Sequence, residues 1–183
     1  MNIFYLDTDP KVAASMHCDK HVVKMILEYA QLLCTAHRLL DGTEKVVLTE
    51  KGRKKRVWEH PTNDAILYGA THRNHPSAVW VREGISNYLW VYECMWWCNQ
   101  EFKRRYGHTK NHATLDKLSQ ILSVVPKAMI AKDNVPFTPP PQCVAADCKT
   151  EDTVEAYRAY YKNHKAEIAA WRDGNIPDWY KES

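Results

Sequence analysis

Residues 17–34 constrain the fold more than any other stretch. On a helix that turns roughly 100° per residue, His17, Lys20, His21, Lys24, Glu28 and Gln31 fall within about 100° of arc. Val22, Val23, Met25, Ile26, Leu27, Tyr29, Ala30, Leu32, Leu33 and Cys34 occupy the rest of the circumference. A surface helix carries an apolar stripe on a polar background, and this one carries the reverse. It must be buried nearly all round, with one polar seam. A dry seam of imidazoles, amines and a carboxylate is unfavourable unless its members pair or line a wet cleft. Clefts of that kind concentrate perturbed pKa values and catalysis. The seam therefore predicts a catalytic face. Glu28 is its carboxylate acid/base, and Lys20 and Lys24 are its candidate amine nucleophiles. His17 and His21 complete it, in contact with phosphate or a base edge.

The flanking segments predict further helices. Asp9 reads as an N-cap with Pro10 at the first helical position, opening a short helix over 10–16. The seam helix runs on to about Leu40 and stops at Asp41-Gly42. Residues 2–6 are apolar and β-prone, suited to an extended arm. Residues 43–62 read as an exposed basic loop with at most a short hairpin, and 61–70 as a brief helix. A turn at 72–76 precedes a long helix from Pro76 or Ser77 to Arg105, closed by Tyr106-Gly107. Another helix spans about 112–123. Pro126, Pro136, Pro139, Pro140 and Pro141 make 126–150 a loop. The last helix starts near Thr150-Glu151-Asp152 and ends before Gly174. The expected fold is all-α: a single compact helical domain over 1–183, with long buried central helices and a Pro-rich loop.

A second constellation lies in the 72–90 segment. His72, Arg73, Asn74 and His75 crowd into one turn before a helix start, where free N–H groups attract anions. The helix that follows places Trp80, Glu83, Asn87 and Trp90 near one face, so two indoles flank a carboxylate and an amide. Such a face could sandwich a planar group and read its edge. Net charge is +3, which permits an anionic partner without demanding one. Two local clusters, Arg53-Lys54-Lys55-Arg56 and Lys103-Arg104-Arg105, suit a phosphate backbone. Seven Trp and ten Tyr against three Phe supply surfaces on which bases stack.

The six cysteines form no C-x-x-C pair, no signal peptide is expected from the first residues, and no apolar run reaches membrane length. Free thiols, a cytoplasmic location and no membrane partner are expected. His17/His21 and His108/His112 have helical metal-ligand spacing, but no H-E-x-x-H accompanies them and lysines adjoin the first pair. No metal and no other cofactor is expected.

Three stretches, taken in order, resemble the phage-type pyrimidine-dimer DNA glycosylases, the endonuclease V family of small all-helical repair enzymes. They are Ala14-Ser15-Met16-His17 running into the seam helix, His75 onward to Glu101-Phe102-Lys103-Arg104-Arg105-Tyr106-Gly107, and Ala166-Glu167-Ile168-Ala169-Ala170 with Pro177-Asp178-Trp179-Tyr180-Lys181. The resemblance covers about half of the chain. It implies that an N-terminal amine attacks the sugar C1′ and forms an imine, that a carboxylate on the first long helix assists, and that a base is flipped out of bent DNA. An α-amino group suits this role because such groups titrate near 8, well below lysine. Asn2 stands where the family has a small second residue, and the seam has no glutamate just after His17, only Glu28. The amine is then that of Met1, or Lys20 or Lys24 takes its place. The resemblance also offers Trp179 and Tyr180 as stacking groups.

The expectation is an enzyme acting on a nucleobase or its glycosidic bond, in DNA rather than RNA. Arg73, Asn74, His75, Trp80, Glu83 and Asn87 would bind substrate. A base-modifying transferase that makes no imine, a metal-dependent hydrolase of small phosphorylated molecules and a non-catalytic binding module are the alternatives.

Overall fold

The computed structural model describes residues 1–132, 134–172 and 174–181. The chain is mostly helical, but the all-α expectation needs one correction: residues 43–59 form a β-hairpin. Its strands are β1 (Thr43–Leu48) and β2 (Lys54–Glu59), antiparallel, with Thr43 opposite Glu59 and Leu48 opposite Lys54.

The helices follow local chemistry. The Asp9 carboxylate accepts from the backbone N–H groups of Lys11 and Val12 at 2.7 and 3.2 Å and starts α1 (Pro10–Met16). The chain breaks at His17-Cys18 before α2 (Asp19–Asp41), so His17 lies outside the long helix. Gly42 ends α2 at φ −91°, not in a left-handed cap. Glycine is required there for space, because a Cβ would lie 2.3 Å from the Arg38 carbonyl oxygen. Gly107 does take the left-handed conformation, φ 67°, that its place after α4 predicts.

The helix expected over 76–105 is two helices, α3 (Pro76–Val81) and α4 (Ile85–Tyr106). Asn87 explains the break: its side-chain N–H donates to the Trp80 carbonyl at 3.1 Å, satisfying an acceptor that continued helix would have used. Val135 packs against Gly84 in the interruption. The helix expected over 61–70 is a series of turns. Helix α5 (Ala113–Leu122) follows, then a 3-10 turn at Lys127–Lys132 inside the Pro-rich loop, α6 (Thr153–His164) and α7 (Asp178–Lys181).

One contiguous core joins the extended arm Ile3–Leu6 to α1, α2, α4, α5 and α6. Arg38 fixes the hairpin to it. Its Nε donates to the Tyr68 carbonyl at 2.6 Å. One terminal nitrogen donates to the Trp58 carbonyl at 2.6 Å and to the Asp64 carboxylate at 2.5 Å, and the other to the Asp64 and Leu67 carbonyls at 2.8 Å. One guanidinium thus satisfies four carbonyls of segments with no helical ladder of their own. Among the described residues, no helix is long and apolar enough to cross a membrane. Arg38→Met leaves these acceptors unpaired, so urea unfolding should show a loss of about 3 kcal/mol or more, with faster amide exchange in the hairpin. A loss below about 1 kcal/mol would show that the clamp is dispensable.

Candidate active site

The polar seam of α2 divides by depth. His17 and His21 lie in the core, Lys20 and Lys24 are exposed, and Glu28 and Gln31 are half-buried. A carbonyl only accepts, so His17 Nδ1 carries the proton and donates to the Ala13 carbonyl at 2.7 Å; its Nε2 lies 3.0 Å from the Tyr29 hydroxyl. His21 stacks on Phe4, centroids 4.2 Å apart, and its Nδ1 lies 2.6 Å from the Tyr161 hydroxyl. Burial lowers the pKa of His17 to about 4 and that of His21 to about 3. Both are therefore neutral core groups with no access to bulk solvent. The seam therefore does not line one cleft along its length: only Lys20, Lys24 and the half-buried Glu28 and Gln31 reach solvent.

There, Lys24 Nζ meets a Glu28 carboxylate oxygen at 3.0 Å, with the Glu28 side chain 16 % exposed. The Glu28 carboxylate in turn acts electrostatically on His75, at the start of α3. His75 caps α3, its Nδ1 accepting from the Ser77 N–H at 3.2 Å, so the proton of the neutral ring sits on Nε2. Burial pushes the His75 pKa down, the α-ammonium of Met1 and His72 act the same way, and the Glu28 carboxylate opposes them.

Hydrogen bonds hold the arm in this place. The Asn2 side-chain N–H donates to the Cys143 carbonyl at 2.8 Å, and Asn2 Oδ1 accepts from the Tyr157 hydroxyl at 2.8 Å and from the Ile3 N–H at 3.0 Å. Cys143 Sγ lies 3.6 Å from Ser77 Oγ, which closes a path from Asn2 back to the His75 cap. Sequence reasoning did not find Asn2 or Cys143. The one signal was a single amide in an otherwise apolar arm.

The turn at 72–75 connects this cluster to a cationic hollow. His75 N–H donates to the His72 carbonyl at 2.8 Å, and His72 holds φ 46°, a left-handed conformation that non-glycine residues rarely adopt. Arg56, Trp58, Ala70, Thr71, His72 and Arg73 line a hollow of about 420 Å³, with Arg73 over the Trp58 ring at 5.0 Å. Arg73 and the 53–56 cluster therefore meet. Arg53, Lys54, Lys55 and Arg56 are exposed along the hairpin, and Asn74 is exposed in the turn.

Other expected residues are placed differently. The Arg105 side chain is fully buried and donates to the Ser15 and His17 carbonyls and to Asp19 and Glu101, so it cannot reach a phosphate in solution. Arg104 pairs with Glu101 at 2.8 Å, and Lys103 is half-buried beside it. The Asn87 amide is spent on Trp80 and on the Thr138 N–H, and the Trp80 indole donates to Thr138 within the core. Asn87 and Trp80 therefore cannot read a base. Glu83 is exposed in the break between α3 and α4, not on a face with Asn87. With only six residues and His75 filling its cap, α3 is not the anion-binding helix start expected from the sequence. Trp179 and Tyr180 are half-buried: Trp179 Nε1 points to Met16 Sδ at 3.3 Å, and Tyr180 packs on Trp171.

No protein-family model, no curated protein and no solved structure matches this chain.

His21 and His37 set the response to acid. Burial also lowers the His37 pKa to about 4, His60 adding to the effect and Asp41 opposing it. Unfolded, each imidazole takes up a proton near pH 6.5; folded, neither does so until about pH 4 or below. The unfolded chain thus binds more protons in this window, and stability falls as pH drops from about 6.5 toward 4, by about 1.4 kcal/mol per unit for each ring. Melting temperatures at pH 5 should lie well below those at pH 7.5, and His37→Gln should flatten the slope by about one proton. Stability independent of pH between 7 and 5 would show that these rings are not buried neutral.

Proposed function

We propose that this chain is a DNA-processing enzyme acting on a nucleobase or its glycosidic bond, with chemistry similar to that of the pyrimidine-dimer DNA glycosylases. The observation that carries the reading is the half-buried Glu28 carboxylate, paired with the Lys24 amine at 3.0 Å and acting, like the Met1 ammonium, on the His75 imidazole, which ends a turn that also borders a cationic hollow. In the proposed reaction an amine, that of Met1 or of Lys24, adds to the sugar C1′. The base leaves with the electron pair of the glycosidic bond and takes up a proton. The amine then loses a proton, which Glu28 is placed to receive, and the C1′–O4′ bond opens as the protonated imine forms, O4′ leaving with the electron pair and taking up that proton. His75, with its proton on Nε2, donates to a phosphate or base edge. Arg56, Arg73 and the exposed cations of the hairpin hold the backbone.

Borohydride added to the protein with ultraviolet-irradiated or abasic-site duplex should trap a covalent adduct. Peptide mapping should place it on Met1 or Lys24. Glu28→Gln should slow trapping by about 100-fold or more while leaving the melting temperature near that of the parent. If no adduct forms and the digested DNA instead contains a base of altered mass, the excision reading fails and base modification replaces it.

A further inference from the structure

Three groups of potential ligand residues have their donor atoms within 4.8 Å of one another among the described residues: His17/Cys94/Cys98, His37/Asp41/His60 and Asp147/Cys148/His164. The imidazole decides between them. His60 has no lone pair to give, because its Nδ1 accepts from the N–H groups of Thr62 and Asn63 at 3.3 and 3.1 Å and its proton therefore sits on Nε2. His164 Nε2 is engaged at the surface by both Asp147 oxygens, at 3.0 and 2.9 Å. His17 differs from both. Its Nδ1–H is held by the Ala13 carbonyl, and its inward-pointing Nε2 lone pair accepts from the Tyr29 hydroxyl at 3.0 Å, a neutral contact that an ion would replace. A backbone carbonyl on the far nitrogen is also what fixes the tautomer and direction of metal-bound histidines.

Cys94 and Cys98 stand four residues apart on α4, so their thiols share one face, and both are fully buried, as is His17. The Tyr29 hydroxyl, 3.0 Å from His17 Nε2, lies at the edge of the group. We propose that His17 Nε2, Cys94 Sγ and Cys98 Sγ bind one zinc-class divalent ion, with the Tyr29 oxygen in the fourth position. Soft sulfur donors with one imidazole in a tetrahedral arrangement select zinc over magnesium or calcium. Two thiolates cancel the charge of the ion, so the loaded site is neutral overall and suits a dry core. At a Zn–S distance of about 2.3 Å, tetrahedral sulfurs lie about 3.7 Å apart. Small thiol rotations therefore close the group. The ion would tie the α1–α2 junction to α4, a structural role separate from the Glu28 cluster. Thiols bind as thiolates, so loading expels two protons to solvent, one from each cysteine. Affinity then falls about 100-fold for each pH unit lowered.

Elemental analysis of the full chain, purified without chelator and also refolded with zinc chloride, should find about one zinc per chain. The Cys94→Ala/Cys98→Ala variant should lower this at least tenfold. Cobalt taken up by the wild-type chain should give a thiolate-to-cobalt charge-transfer band in the near ultraviolet, and this readout decides the matter if the double variant does not fold. Folded wild-type protein that binds less than about a tenth of an equivalent of zinc after refolding with the metal, and gives no such band with cobalt, overturns the proposal.

Discussion

Three buried histidine–tyrosine hydrogen bonds anchor the central helix: His17 to Tyr29, His21 to Tyr161 and His37 to Tyr88, at 3.0, 2.6 and 2.9 Å. Each gives an imidazole nitrogen of α2, or of the junction before it, a partner in a dry core. Tyr161 brings in α6 and Tyr88 brings in α4, so α2 is held along its whole length. Neutral imidazoles make this arrangement possible, since a charged ring at these depths would need a counter-ion that the core does not supply. Arg105 and Arg38 are the complementary case. Each is a permanent cation paired with a carboxylate and otherwise saturated by backbone carbonyls, one at the start of α2 and one near its end.

That frame leaves few groups available for chemistry. Glu28 lies where the seam emerges from the core, and both it and the α-ammonium of an arm fixed by Asn2 act on His75, the cap of α3. The 72–75 turn, with its left-handed His72, joins this corner to the hollow between Arg56 and Arg73. Covalent chemistry on a base needs both parts: a sheltered carboxylate beside an amine, and cations that grip a phosphate backbone.

What the sequence disclosed follows from the range of each interaction. The burial of α2, its stop at Gly42, the Asp9 cap and the left-handed Gly107 were legible because each depends on neighbours within a few residues. The break between α3 and α4 was not, although Gly84 stands in it, because apolar residues keep a helical spacing on both sides of Arg82-Glu83-Gly84 and the interruption is stabilised from further off, by Asn87 and Val135. The hairpin was only half legible: its strands are exposed on nearly every residue and show no alternation of buried and exposed side chains. Within the candidate site, Lys24–Glu28 and His75 could be named from spacing. Their partners Met1, Asn2 and Cys143 could not, because Asn2 meets a carbonyl 141 residues away. His17, Arg105, Trp80 and Asn87 misled for a shared reason: a polar side chain that serves a buried backbone has the same letter as one that serves a substrate.

Whether the imidazoles of this helix are structural can be read directly from nitrogen-15 chemical shifts of the histidine rings, followed from pH 7.5 to 5.5. Rings buried as described should keep neutral shifts throughout for His17, His21 and His37, with the proton of His17 on Nδ1. Titration of any of the three near pH 6.5 would contradict the arrangement, and would return that histidine to the set of groups open to substrate.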